Sequence, residues 1–150
     1  MDDVTELRRL LDSGINIERR NFMGQTALMQ ASSSGRLECA QLLIERGADV
    51  NAITVCIPAI SCASARGHVD ILKLLLDHGA DIDIRGYLGR TPLMYASAFG
   101  HSTCVAFLLE RGADPAISDD KNKTSLDHCK TDEIRKMLED AVNKIDYVLK

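Results

Sequence analysis

The sequence predicts an all-α fold, a single stack of antiparallel helix pairs, and three observations carry that prediction. Glycine recurs at one phase, as Gly14, Gly47, Gly79 and Gly112, spaced 33, 32 and 33 residues apart, and the last three each open the tripeptide Gly-Ala-Asp. Before each glycine lies an apolar run at constant offset: Leu10-Leu11, Leu42-Leu43-Ile44, Leu74-Leu75-Leu76 and Phe107-Leu108-Leu109. Further upstream in each unit a second segment recurs, as Thr26-Ala27-Leu28-Met29, Pro58-Ala59-Ile60-Ser61, Thr91-Pro92-Leu93-Met94 and Thr124-Ser125-Leu126-Asp127. A fixed period of this length marks an array in which each unit is one supersecondary element that stacks on the next.

The elements follow in chain order. Residues 2–13 supply one helix, the second of a pair, with Asp2 and Asp3 near its positive end. In each full unit the first helix opens at the recurring Thr, whose side chain can cap orphan N–H groups, and Pro92 suits a first helical position because no N–H is needed there. Gly35, Gly67 and Gly100 close the first helix, and a second helix then runs to Gly47, Gly79 or Gly112. Ile71, Leu72, Leu75 and Leu76 form a stripe too broad for a lone helical hairpin to bury, so neighbouring units must cover it. The last unit, from Thr124, is compressed, and its charged second helix around Asp132 to Leu138 shields the end of the core, with residues 141–150 either extending it or fraying. The expected organisation is one domain over 1–150: a partial N-terminal cap at 1–18, full repeats at 19–51, 52–83 and 84–117, and a C-terminal cap repeat and tail at 118–150.

The arrangement resembles the ankyrin repeat, with its Thr-Pro-Leu-His box (Thr91-Pro92-Leu93 here), its Gly-His turn (Gly67-His68, Gly100-His101) and its Gly-Ala-Asp ending. The resemblance spans nearly the whole chain. It implies a solenoid with β-hairpin-like loops projecting from one edge, and a non-catalytic interaction module that binds a protein partner through its loop tips and the concave first-helix face. Met29, Ser61, Met94 and Asp127 stand where the family usually has His, which puts the hydrogen bonds ascribed to that His in question. The loop Ala52 to Ile57 is one residue short and lacks the glycine present as Gly24 and Gly89, so a different shape is expected, with Pro58 in place of the capping Thr.

Composition narrows the function classes. Eighteen basic and 22 acidic side chains leave a net charge of −4, so neither nucleic acid nor a membrane surface is expected as a partner. The acidic N-terminus has no secretory signal pattern, no apolar stretch is long enough to span a bilayer, and the initial Met and capped ends suit a whole small protein. Five cysteines, odd in number and irregularly spaced, fit reduced thiols in the cytoplasm, with the nucleus as the alternative. Cys39 and Cys104 share the phase of Ile71 and read as core; Cys62 and Cys129 fall in first helices, and Cys56, in the irregular loop, is the thiol expected to be most exposed. No metal is expected, because His128-Cys129 and Cys56 with Cys62 lack zinc-ligand spacing, and no cofactor, because nucleotide-binding fingerprints are absent. His68 and His101 belong to the Gly-His turns, and His78 lies at a helix C-terminus.

Surface positions follow from the repeat phase. Loop tips fall at Phe22, Met23 and Gln25; at Ile53, Thr54 and Val55; at Tyr87, Leu88 and Arg90; and at Asp120, Lys121 and Lys123. First-helix ends place Ser33, Ser34, Ala65, Arg66, Ala98 and Phe99 in the groove. These positions hold two of the three Phe and one of the three Tyr, types favoured at interface centres. The candidate partner-binding set is Phe22, Met23, Gln25, Ser33, Arg66, Tyr87, Leu88, Arg90, Phe99 and Lys121. Asn51, preceded by Val50 and, eight residues back, by Leu43, resembles ankyrin sites modified by an asparaginyl hydroxylase. A monomeric, non-enzymatic adaptor is the expectation. The alternatives are a thiol-dependent enzyme using Cys56 or Cys129 with His128, and a structural spacer or self-associating unit.

Overall fold

In the computed structural model, which describes residues 3–150, nine α-helices follow the repeat phase: α1 (Asp3–Asp12), α2 (Ala27–Ser34), α3 (Leu37–Glu45), α4 (Ala59–Arg66), α5 (Val69–Asp77), α6 (Pro92–Ala98), α7 (Ser102–Glu110), α8 (Ser125–His128) and α9 (Asp132–Leu149). Asp2 lies outside the described residues. Thr26 and Thr91 cap α2 and α6 by accepting the Met29 and Met94 N–H groups, each at 3.3 Å, and Pro92 takes the first position of α6. Pro58 opens α4 with no side-chain cap. At α8 the unexpected Asp127 completes a capping box, accepting the Thr124 N–H at 2.9 Å, so the residue standing in for the family's His closes its own helix start.

Two layers result. First helices α2, α4, α6 and α8 pack in succession, and second helices α1, α3, α5, α7 and α9 form the other layer. The first layer is close-packed through small residues at one phase: Ala31, Ala63 and Ala96 are buried, as are Ser32, Ser64 and Ser97 beside them. Between the layers lies the core of Leu28, Leu43, Ile60, Leu72, Leu75, Leu93, Leu108, Ile134 and Leu138. Cys39, Ile71 and Cys104 are all buried, as their shared phase requires. The final unit is compressed to a single-turn α8, with Cys129 just past its end rather than inside it, and α9 continues unbroken to Leu149.

Polar joints repeat with the same period. The His68 ring donates from Nε2 to Ser33 O at 3.2 Å and His101 to Ala65 O at 2.9 Å, and in the last unit the Lys130 N–H takes the equivalent role on Ser97 O at 3.0 Å. At the other end of the helix pairs, Glu18, Asn51 and Asp83 accept the N–H groups of Asp49, Asp81 and Asp114 at 2.7–3.0 Å, each reaching into the following repeat. Desolvation pushes the Asp83 carboxyl up from its ordinary value.

Among the described residues no β-strand forms, yet the loops keep a hairpin-like closure, with Asn21, Gly86 and Asp119 donating their N–H groups to Gln25, Arg90 and Lys123. The short second loop has no such bond and closes instead through the Thr54 hydroxyl, which accepts the Cys56 N–H at 3.0 Å.

Two stability comparisons follow. Leu75 is completely buried, so Leu75→Ala is expected to cost about 2–5 kcal/mol in urea unfolding. Gly47 and Gly67 both sit at positive φ, 89° and 81°, but a Cβ on Gly47 meets open space whereas one on Gly67 falls 2.8 Å from the His101 ring. Gly47→Ala should therefore carry only left-handed strain, about 1–2 kcal/mol, and Gly67→Ala a further penalty for displacing the ring, which removal of that ring in His101→Ala partly relieves. Equal costs for the two glycines would refute the stacking role of His101.

Candidate functional site

The loops stack along one edge of the molecule, and the C-terminal ends of the first helices lie about 10–12 Å away, across the first-helix face. The most exposed large apolar side chains of these two regions are Phe22 at 98%, Val55 at 79%, Ile53 at 62%, Tyr87 at 61%, Met23 at 56% and Phe99 at 55%. All but Phe99 come from three successive loops, and Phe99 follows the far end of α6. The loops are in contact: the Cys56 thiol donates to Met23 O at 2.8 Å, and the Asp120 N–H donates to Leu88 O at 3.0 Å.

Beside this edge lies a groove of about 350 Å³, lined by Gln25, Ser33, Ile57, Cys62, Ala65, Arg66, Tyr95 and Phe99. Four of the sequence-derived candidates, Gln25, Ser33, Arg66 and Phe99, are thus brought together. Arg66 is exposed and in no ion pair among the described residues, which leaves a free cation on an otherwise apolar and small-residue surface. Tyr95, Cys62 and Ile57 were not among the candidates. Tyr95 and Cys62 share the phase of Gln30, and a large aromatic in an Ala/Ser-rich helix was the signal that it faces the groove. Its hydroxyl donates to Tyr87 O at 3.4 Å, which ties the groove to the third loop.

Two candidates are placed differently from expectation. Leu88 is half-buried in the loop stack, with φ 59°, a conformation unusual for a branched residue, and its carbonyl serves the fourth loop. Arg90 is half-buried too and turned toward Asp119, with Nε 3.7 Å from Oδ2, so its charge is partnered inside the chain. Lys121 stays exposed, although its N–H donates to Asp119 at 2.8 Å. Asn51 is held at both ends of its amide, donating to Gly79 O at 3.0 Å and accepting the Asp81 N–H at 2.7 Å.

Of the five thiols, Cys39, Cys62 and Cys104 are buried, and Cys56 and Cys129 are the two that are not. Cys56 is only half-exposed, with its Sγ engaged by Met23 O, because the short loop folds back onto the first loop. Neither Cys56 nor Cys129 is hydrogen-bonded to His128, whose Nε2 donates instead to Asp119 at 2.8 Å. Burial pushes the Cys62 thiol up to about 12 and the Cys104 thiol up to about 11, away from the thiolate form a nucleophile needs. Among the described residues no cluster of three His, Cys, Asp or Glu side chains is placed to hold a metal, and no helix is long and apolar enough to cross a membrane.

Asp119 organises the fourth loop. Its carboxylate accepts the N–H groups of Lys123 at 3.0 Å and Lys121 at 2.8 Å in addition to His128, while it remains almost fully buried. These donors, the Lys123 N–H foremost, hold its carboxyl far below the usual range.

Comparison with known proteins agrees with this geometry. The family model described as ankyrin repeats (3 copies) matches residues 57–119, and a second, ankyrin repeats (many copies), matches 1–44 and 28–76. The chain belongs to the ankyrin-repeat family. It is 41% identical over 86 residues to human ankyrin repeat and KH domain-containing protein 1, a match covering 55% of this chain and 3% of that protein. It is 46% identical over 55 residues to human B-cell lymphoma 3 protein, covering 34% of this chain and 12% of that protein, and 48% identical over 46 residues to the Drosophila melanogaster ankyrin repeat and KH domain-containing protein mask, covering 31% and 1%. The chain thus spans only a small part of these relatives' lengths. Ankyrin repeats are in general protein–protein interaction modules, and the family is mostly non-enzymatic.

A pH dependence follows from Asp119. Because its folded-state pKa lies below the unfolded value of about 3.9, its contribution is complete above that value and fades as pH falls through and below it. Asp119→Asn should lower the urea midpoint at pH 7 and flatten its decline on acidification below about pH 4. An unchanged acid limb in the variant would contradict this role.

Proposed function

We propose that this chain is a non-catalytic adaptor that grips a protein partner with its loop tips and the groove beneath them. The observation that carries the reading is the row of exposed Phe22, Met23, Val55 and Tyr87 along the loop edge, with exposed Phe99 and Arg66, the latter in no ion pair among the described residues, in the groove beside it. A monomeric protein seldom exposes so many large apolar side chains in one strip unless the strip is used, and aromatic and Arg anchors are enriched at the centres of interfaces. The mechanism is preorganisation. Each repeat holds its neighbour, so loop side chains lose little further conformational entropy on binding. Arg66 suits a carboxylate on the partner beside an apolar side chain that fills the groove next to Tyr95 and Phe99.

A displayed-peptide selection against the folded chain, counter-selected on a Phe22→Ala/Tyr87→Ala/Phe99→Ala variant, tests this reading. The selected ligands are expected to carry apolar and acidic residues and to lose at least about tenfold in affinity for the triple variant. Because the three side chains are exposed, the variant should keep its helical circular dichroism and melt within a few degrees of the wild type. Ligands that bind both forms equally would move the site to another face, and a variant that fails to fold would show that these side chains belong to the core.

A further inference from the structure

The two ends of the stack carry complementary surfaces. At the N-terminal end α1 belongs to the second-helix layer, and no first-layer helix precedes α2 among the described residues. Between α1, α2 and their connection runs an apolar groove of about 500 Å³, lined chiefly by Leu7, Leu10, Leu11, Ile17, Ala27 and Leu43. It lies where repeat geometry would set a first helix. Arg19 and Arg20 stand exposed on its rim, and neither is in an ion pair among the described residues.

At the other end, α9 is longer than the stack it caps. Its apolar stripe begins at Ile134 and Leu138, both fully buried, and continues at helical spacing through Ala141 to Ile145, Val148 and Leu149, which are 39%, 81% and 80% exposed. Residues 143–150 are all exposed, so two turns of helix carry an apolar face that none of the described residues covers. Asp146 and Glu139 lie to one side of that stripe and Lys144 to the other, and none of the three is in an ion pair among the described residues.

We propose that the projecting end of α9 in one copy docks into the N-terminal groove of a second copy, taking the place of a first helix, with Asp146 and Glu139 toward Arg19 and Arg20. The occupant is chosen by shape and charge together. The groove accepts an apolar-striped helix, its rim carries unpaired cations, and the chain's own far end offers such a helix with carboxylates along one side, which fixes the side turned toward Arg19 and Arg20, and Lys144 along the other, turned away. The contact is head-to-tail, using different surfaces of the two copies, so it leaves a free groove and a free helix at the ends and extends instead of closing. Two turns of helix bury less than the roughly 1,200 Å² of a stable interface, so the association is weak and depends on concentration.

Sedimentation velocity on the full chain between about 5 and 500 μM tests this, with two variants whose circular dichroism and melting are checked first. The wild-type mass should rise above the 16.5 kDa of a single chain as concentration increases. A helix variant, Val148→Asp/Leu149→Asp, and a groove variant, Ile15→Asp/Arg20→Glu, should each stay monomeric. Ile15 lines the groove but is partly exposed, so both variants alter surface positions. Mixed in equal amounts, the variants should form a one-to-one dimer that grows no further, because each supplies the surface the other lacks. A wild-type mass that does not change with concentration overturns the proposal and leaves the groove to a helix of another protein. A groove variant that still self-associates overturns it in favour of α9 pairing with α9. Phe22 also borders the groove and is left in place in both variants, so failure here is separable from failure of the partner-binding reading.

Discussion

No helix pair of this chain can bury its own apolar stripe, and every other feature depends on that constraint. Leu72 and Leu75 of α5 disappear from solvent only because α3 and α7 lie on either side in the same layer and α4 packs beneath. Stability is consequently spread along the stack as a series of joints. The joints are also polar: the His68 and His101 rings close one end of the helix pairs, and Glu18, Asn51 and Asp83 close the other. With both ends pegged, each repeat has little freedom to roll on its neighbour, and the loop edge inherits that rigidity.

The repeat phase made the architecture legible in the sequence, because a residue type that recurs at one phase has one environment. Cys39, Ile71 and Cys104 illustrate this, being chemically unlike and equally buried. Phase also anticipated that Phe22, Tyr87, Arg66 and Phe99 are exposed. It was less informative where two loops touch. Arg90 has the phase of an exposed tip, but Asp119, one repeat later, draws it inward, and a pairing between loops leaves no trace in the periodicity of either one. Leu88 is similar, since its left-handed φ belongs to the Gly86–Gly89 turn of its own loop and its carbonyl accepts the Asp120 N–H of the fourth loop.

The departures from the family's pattern are absorbed by local chemistry. Where the usual His is missing from the last unit, Asp127 caps its own helix and Asp119 collects the loop N–H groups together with His128. Where the second loop is short, Thr54 and the Cys56 thiol replace the missing backbone closure. The thiol–imidazole contact that the enzyme alternative invokes is not formed, because neither Cys56 nor Cys129 is hydrogen-bonded to His128.

The small side chains of the first-helix layer have a consequence for reading a ligand. Ala31, Ala63 and Ala96, with the serines beside them, are small and buried, which lets successive first helices pack directly at the usual interaxial separation of about 8–10 Å. An extended polypeptide advances about 3.3 Å per residue. A strand-like segment lying along the loop edge would therefore meet successive loop tips about every two to three residues, so the stack would act as a ruler graduated by its loops, selecting for spacing as much as for side-chain type.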